Sequence, residues 1–288
     1  MQDALRMAVS LLKLRIGVAV AASALAGMAA ARGPTLTPAQ MAGVTLAVIG
    51  ASGAAGAFNH YYERDLDRSM RRTRGRPFAS GRLAPSVWWP VGFLALLAAS
   101  VGLAWGTGGA LSAFYVFLGA FTYGIVYTVW LKRRTTWNIV IGGLAGSFAV
   151  LAGAAAVDPA PQAVPIVLAI VLFLWTPPHF WSLAAAKRDD YAAAGVPMLP
   201  VTVPERAWTM AVLTHAVVLA VLSLVPVAYG MGLAYALPAA AGGALLVTRS
   251  VALYRAPSKA TAMANFFASL AQLTLLVVGV LLERVLGS

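Results

Sequence analysis

Runs of about twenty apolar residues, broken by short bursts of charge, limit what this chain can fold into. The runs are read at 8–30, 39–62, 87–106, 109–131, 138–157, 163–184, 207–229, 232–253 and 262–283. A helix of that length crosses a hydrocarbon core of about 30 Å. In lipid every backbone amide must find its partner within the protein, so spans of this kind fold as helices, and no ten-residue alternation suggests a barrel. With 60% hydrophobic and 10% charged residues, an ordinary soluble domain is excluded. The expectation is an all-α, polytopic bundle of nine transmembrane helices forming a single domain over residues 1–288. The first run carries Lys13 and Arg15 near its start and lacks a cleavage site, so it is expected to remain as a span. The absence of cysteine removes disulfides, thiolate metal sites and cysteine nucleophiles.

The formal charge of +12 need not mean a nucleic-acid partner, because its distribution has a simpler cause. Of 21 Lys and Arg residues, only Arg32 and Arg284 fall on the face reached after the odd-numbered spans. The positive-inside rule makes the other face cytoplasmic, which places the N-terminus inside and the C-terminus outside. Much of the basic charge therefore sets topology.

Between the second and third runs lies NHYYERDLDRSMRRTRGRPFASGR, Asn59 to Arg82, with three carboxylates and seven arginines in 24 residues. If the helix continues through it, Asn59, Glu63 and Asp67 recur every four residues and line one face. Oxygen donors at that spacing suit a hard cation such as Mg²⁺, which is usually held by one or two carboxylates together with substrate phosphates. Neighbouring Arg72 and Arg76 suit phosphate oxygens, since a guanidinium offers paired donors and stays charged. Gly75 and Pro77 are expected to break the helix and fold the basic segment back over the carboxylates. The ordinary alternative is a solvated loop with weak helical salt bridges. Asp65 points elsewhere on the helix, towards Arg64 or Arg68.

The small residues of the second run, Gly50, Gly53 and Gly56 among alanines, suggest an interior helix with close neighbours. Acidic residues recur four spans later at Asp189, Asp190 and Glu205, so two acidic ends could converge. In TPPHFWSLAAAKRDDYAAAGVPMLPV, residues 176–201, Pro177 and Pro178 interrupt a span, and His179 and Asp190 lie near the cytoplasmic interface. A lone histidine there is more often a packing residue than a catalyst. Asp190 could hold a second metal or a water. Lys132, in YTVWLKRRTTWN, can reach phosphate oxygens, whereas Arg134 can equally be a topology signal. His215 and Trp88, Trp89 and Trp208 read as packing and interfacial residues.

Together these segments resemble the UbiA superfamily of intramembrane prenyltransferases over nearly the whole chain. The superfamily's first motif, Asn with acids four and eight residues on, matches Asn59, Glu63 and Asp67, with Glu63 replacing the usual Asp. RRTRGRP, LKRRTTWNIVIGG, HFWSLAAAKRDDY and GVPMLPV are similar to the branch that modifies haem. The second motif's paired aspartates, four residues apart, are absent around Asp190. The resemblance implies transfer of a farnesyl group from farnesyl diphosphate to a vinyl group of haem B, with water addition, giving haem O and diphosphate. It implies Mg²⁺ on Asn59, Glu63 and Asp67, diphosphate on Arg72, Arg76 and Lys132, and haem positioning or proton handling by His179 and Asp190. It further implies a prokaryotic inner membrane, an active site near the cytoplasmic face, contact with membrane lipid, and association with proteins of haem A synthesis or terminal oxidase assembly. The competing readings are an aromatic acceptor such as 4-hydroxybenzoate, and a transporter of haem or anionic lipid.

Overall fold

Pro38 begins a long helix where its missing N–H costs nothing, and Thr37 caps it in a reciprocal box with Gln40. Ser258 and Thr261 form the same device at the last helix. The computed structural model describes residues 2–287, helical almost throughout, with no strand among the described residues. In order these are α1 (Gln2–Leu11), α2 (Leu14–Ala30), α3 (Pro38–Tyr62), α4 (Arg64–Ser69), α5 (Trp88–Phe121), a π-helical continuation (Thr122–Leu131), α6 (Asn138–Gly142) and α7 (Leu144–Val157). There follow α8 (Ala163–Ala186), α9 (Arg188–Ala193), α10 (Leu199–Thr202), α11 (Glu205–Leu222), α12 (Val225–Ala228), α13 (Leu233–Arg255) and α14 (Lys259–Leu286).

Among the described residues, seven helices are long and apolar enough to cross a membrane, or eight if α1 and α2, bent by 54°, make one span. The sequence reading has nine. The difference lies at Trp88–Leu131, a continuous element of 44 residues. A straight helix of that length would run about 66 Å, roughly twice the hydrocarbon core. It is not straight: Gly109 sits at φ 82, ψ 175, a conformation open essentially to glycine alone, and it is the first residue of the expected span 109–131, just after the break expected at 107–108.

Helices α2, α3, α5 and α7 pack as one group and α8, α11, α13 and α14 as another, joined where α7 meets α8 and α2 meets α14. Small residues set how closely they approach. A Cβ on Gly27 would stand 2.0 Å from the Val150 carbonyl oxygen, and one on Gly153 would stand 1.9 Å from that of Ala24. Backbone of α2 therefore lies directly on backbone of α7, the close approach that helices in lipid exploit in the absence of a hydrophobic drive between them. At one end of the bundle, Leu66 and Met70 from the first charged loop join a buried cluster with Trp181, Tyr191, Val196 and Met198. The two acidic loops thus share one apolar floor.

Candidate active site

The helix does not run unbroken through the first motif. It pauses at Glu63, which caps α3 at φ −91, ψ 10, and resumes as α4. The hydrogen bonds from Glu63 N–H to Asn59 C=O and from Asp67 N–H to Glu63 C=O nevertheless keep the four-residue spacing. Asn59, Glu63 and Asp67 are all buried. Asn59 Nδ2 donates to Glu63 Oε2 at 2.8 Å and to Thr128 Oγ1 at 3.1 Å. Lys132 Nζ reaches the same Glu63 Oε2 at 2.5 Å. Arg76 Nη1 spans both oxygens of Asp67, at 2.9 and 2.8 Å.

The chain returns from Asp67 to Arg76 earlier than Gly75 and Pro77 suggest. Helix α4 stops at Ser69, Met70 is extended, and the Thr73 hydroxyl donates to the Asp67 carbonyl at 3.1 Å. Asp65 faces outward, paired with Arg68 at 2.9 Å. Arg72 is exposed and leans across to the second loop, its guanidinium carbon 5.9 Å from the Tyr191 ring centre and one nitrogen 3.4 Å from the hydroxyl.

Lys13 is not among the site residues expected from sequence, where it serves only to argue that the first run is retained. In the structure it occupies the bend between α1 and α2 in a left-handed conformation (φ 49, ψ 41). Its Nζ donates to Asn59 Oδ1 at 2.7 Å and to Tyr123 Oη at 2.8 Å. Gly56 makes room for it, since a Cβ there would meet the lysine stem at 3.2 Å. The π-helical segment supplies the facing wall: Tyr123 and Tyr127 stack at 5.7 Å, and Thr128 Oγ1 donates to the Tyr123 carbonyl. Widened turns of this kind are frequent at functional sites.

Lys13, Arg76 and Lys132 thus surround Glu63 and Asp67, three cations against two carboxylates. Burial pulls the Lys132 ammonium below the ordinary lysine range, and the Glu63 carboxylate opposes that pull. Glu63 Oε1 is buried and has no hydrogen-bond partner among the described residues. No group of three or more His, Cys, Asp or Glu poised for a metal occurs among them. The donor set still fits a hard cation shared with phosphate, which needs only one or two carboxylates, and the orphaned Glu63 oxygen is a free position for one.

The remaining candidates stand apart from this cluster. Asp190 is half-buried, and its side chain makes no hydrogen bond or ion pair among the described residues. His179 is buried in α8, its Nδ1 2.8 Å from Ser269 Oγ and its ring between Trp175 and Phe266.

Solved structures share this bundle. A digeranylgeranylglyceryl phosphate synthase superposes with a TM-score of 0.79 at 16% identity, over 99% of both chains. A UbiA homologue from Archaeoglobus fulgidus, solved bound to GPP and Mg²⁺, gives 0.68 at 13% identity over 94% of this chain and 99% of that one. The fold is that of these UbiA homologues. The chain belongs to the UbiA prenyltransferase family, whose model matches residues 20–272. It is 54% identical to protoheme IX farnesyltransferase 2 of Paramagnetospirillum magneticum over 98% of each chain, and 45% identical to protoheme IX farnesyltransferase 1 of the same organism over 97% of this chain and 98% of the relative.

Proposed function

We propose that the protein transfers a farnesyl group from farnesyl diphosphate to a vinyl group of haem B, with water addition, forming haem O and diphosphate. The acceptor rests on the near full-length identity to relatives that carry that activity in their names. The donor rests on one geometric observation: Arg76 and Lys132 bind the two buried carboxylates, Lys13 bonds the adjacent Asn59, and Glu63 keeps an oxygen without a partner among the described residues. That excess of positive charge suits a diphosphate. An aromatic acceptor remains the second reading within the family.

Lys13, Lys132 and Arg76 bind diphosphate oxygens and stabilise the charge that grows there as the allylic C–O bond breaks. The electron pair leaves with diphosphate. Arg72 joins them by moving from Tyr191. Asn59, Glu63 and Asp67 would hold Mg²⁺, which when bound supplies further neutralisation of the departing anion. The aromatic wall of Tyr123 and Tyr127 keeps water from the farnesyl cation until the vinyl π pair bonds to its terminal carbon. Water then captures the cation left on the vinyl carbon and loses a proton, for which Asp190 is the candidate acceptor.

The whole chain serves as one domain. Gly109 supports a turn that lets Trp88–Leu131 cross twice, which with α1 and α2 counted together makes nine spans, the N-terminus in the cytoplasm and the C-terminus outside. The basic loops then put the site near the cytoplasmic face of a prokaryotic inner membrane. Proteins of haem A synthesis or terminal oxidase assembly are the natural recipients of the product.

Purified protein given farnesyl diphosphate with haem B, or with 4-hydroxybenzoate, is the test. Mass spectrometry is expected to show only haem gaining mass, and chelation of Mg²⁺ to stop it. A farnesylated benzoate with untouched haem would replace this reading with the second.

A further inference from the structure

Ser269 has one hydroxyl proton, and its Oγ lies 2.6 Å from the Phe266 carbonyl, which can only accept. The proton therefore goes to that carbonyl, and the 2.8 Å contact with His179 must be Nδ1–H donating to Ser269 Oγ. This fixes the tautomer. In the neutral ring the lone pair is then on Nε2, for which no described residue supplies a partner. Trp175 covers one face at 4.2 Å and Phe266 the other at 4.5 Å, both nearly parallel, while Trp175 Nε1 donates to the Ser269 carbonyl at 2.7 Å. The imidazole is clamped on both faces and tied at one nitrogen, which leaves Nε2 as its open polar atom. A second interaction at Nδ1–H is how metal-bound histidines are usually oriented and made more basic.

The helix that carries His179 is locally weakened and ends in cations. Pro177 and Pro178, just before the histidine, cannot donate to the carbonyls of Phe173 and Leu174, so the helix is loosened there. His179 stands seven residues before the end of α8 at Ala186, about 10 Å along the axis. Lys187 and Arg188 follow at that end, cations matched to propionate carboxylates. The chain has three histidines. His60 lies among Lys13, Arg76 and Lys132, a place those cations reserve for an anion. His215 bonds a carbonyl of its own helix at 2.7 Å and meets Trp181 edge-on.

We propose that His179 Nε2 is an axial ligand to the iron of the acceptor haem, held in register by Ser269, and thereby sets where the porphyrin's vinyl edge lies. The inference rests on haem being the acceptor. No bond is made or broken in the haem periphery by this step; the Nε2 lone pair is donated to iron.

Ferric haem B added to the purified protein without farnesyl diphosphate tests it through optical and EPR spectra. Wild type, His60→Ala and His215→Ala are expected to give a nitrogen-coordinated spectrum. His179→Ala is expected to lose it, with haem Kd rising at least about tenfold, the loss of about 1.4 kcal/mol, and added imidazole is expected to restore it. Ser269→Ala keeps the ring and is expected to weaken haem binding severalfold. If His179→Ala does not fold, His179→Met is expected to shift the spectrum to sulfur coordination. An unchanged spectrum in either His179 variant, or loss in His60→Ala or His215→Ala instead, overturns the ligation. If wild type farnesylates haem and yet His179→Ala binds it identically, ligation alone fails. If wild type neither binds nor farnesylates haem, the functional reading fails with it.

Discussion

Lys132 and Glu63, 69 residues apart in sequence, meet at 2.5 Å in the buried end of the bundle, and the same carboxylate oxygen also accepts from Asn59. Glu63 is in this way held by two donors through one oxygen while its other oxygen stays open. A carboxylate fixed on one side and unsatisfied on the other is prepared to take a further cationic partner.

Replacing that carboxylate tests the metal role. Glu63→Gln and Asp67→Asn preserve shape and are expected to lower kcat for farnesyl transfer by about a hundredfold or more. Each variant should still elute as a single species in detergent. Wild-type turnover by both would remove the carboxylates from the chemistry.

Lys13 should act on binding of the prenyl donor. Removing a charge-assisted hydrogen bond costs about 1.5–3 kcal/mol, so Lys13→Ala is expected to raise KM for farnesyl diphosphate by roughly ten- to a hundredfold. Steady-state kinetics against farnesyl diphosphate at saturating haem reads this directly. A KM within twofold of wild type would make the lysine purely structural.

The Lys132 ammonium, lowered by burial, gives a pH dependence. A base whose folded pKa lies below its ordinary value loses its proton at lower pH than usual, and the neutral amine no longer attracts diphosphate. The alkaline fall of kcat/KM, which reports the free enzyme, should therefore come below the ordinary lysine pKa of about 10.4. Lys132→Arg keeps its charge and is expected to move that limb to higher pH. The stability contribution of this group has the opposite sense: between the lowered pKa and the ordinary one the unfolded chain binds more protons, so stability rises with pH there.

Gly153→Ala addresses the fold. Its new Cβ would overlap the Ala24 carbonyl oxygen, a backbone atom that cannot rotate away, so α2 and α7 must separate. The expected loss is about 1–3 kcal/mol, seen as a lower midpoint for thermal unfolding in detergent. Gly75→Ala, where a Cβ meets nothing within 4 Å, is the matched control and should change nothing.

What could be read in advance depended on range along the chain. Asn59, Glu63 and Asp67 are related by helical spacing alone, and the four-residue hydrogen bonds persist across the break at Glu63. Lys132 reads in sequence as a cation for phosphate oxygens, and its pairing with Glu63, 69 residues away, comes from the packed fold. Lys13 was hidden because its reach depends on a left-handed residue and on the missing side chain of Gly56, both properties of the packed bundle. Ser269, which sets the tautomer of His179, is 90 residues away and looks like any serine of an apolar helix. Helix number was obscured differently: hydropathy separates 87–106 from 109–131, whereas the backbone departs from helix only at Gly109.

The bend at Lys13 also bears on synthesis. A growing chain makes this ammonium before either of its partners, since Asn59 emerges 46 residues later and Tyr123 110 residues later. Until then the charge has neither partner, so the first segment gains by lingering at the aqueous boundary, where a lysine can snorkel. Arrival of the π-helical segment that carries Tyr123 gives the ammonium its second partner, so the bend at Lys13 reaches its final contacts only after four-tenths of the chain has been made.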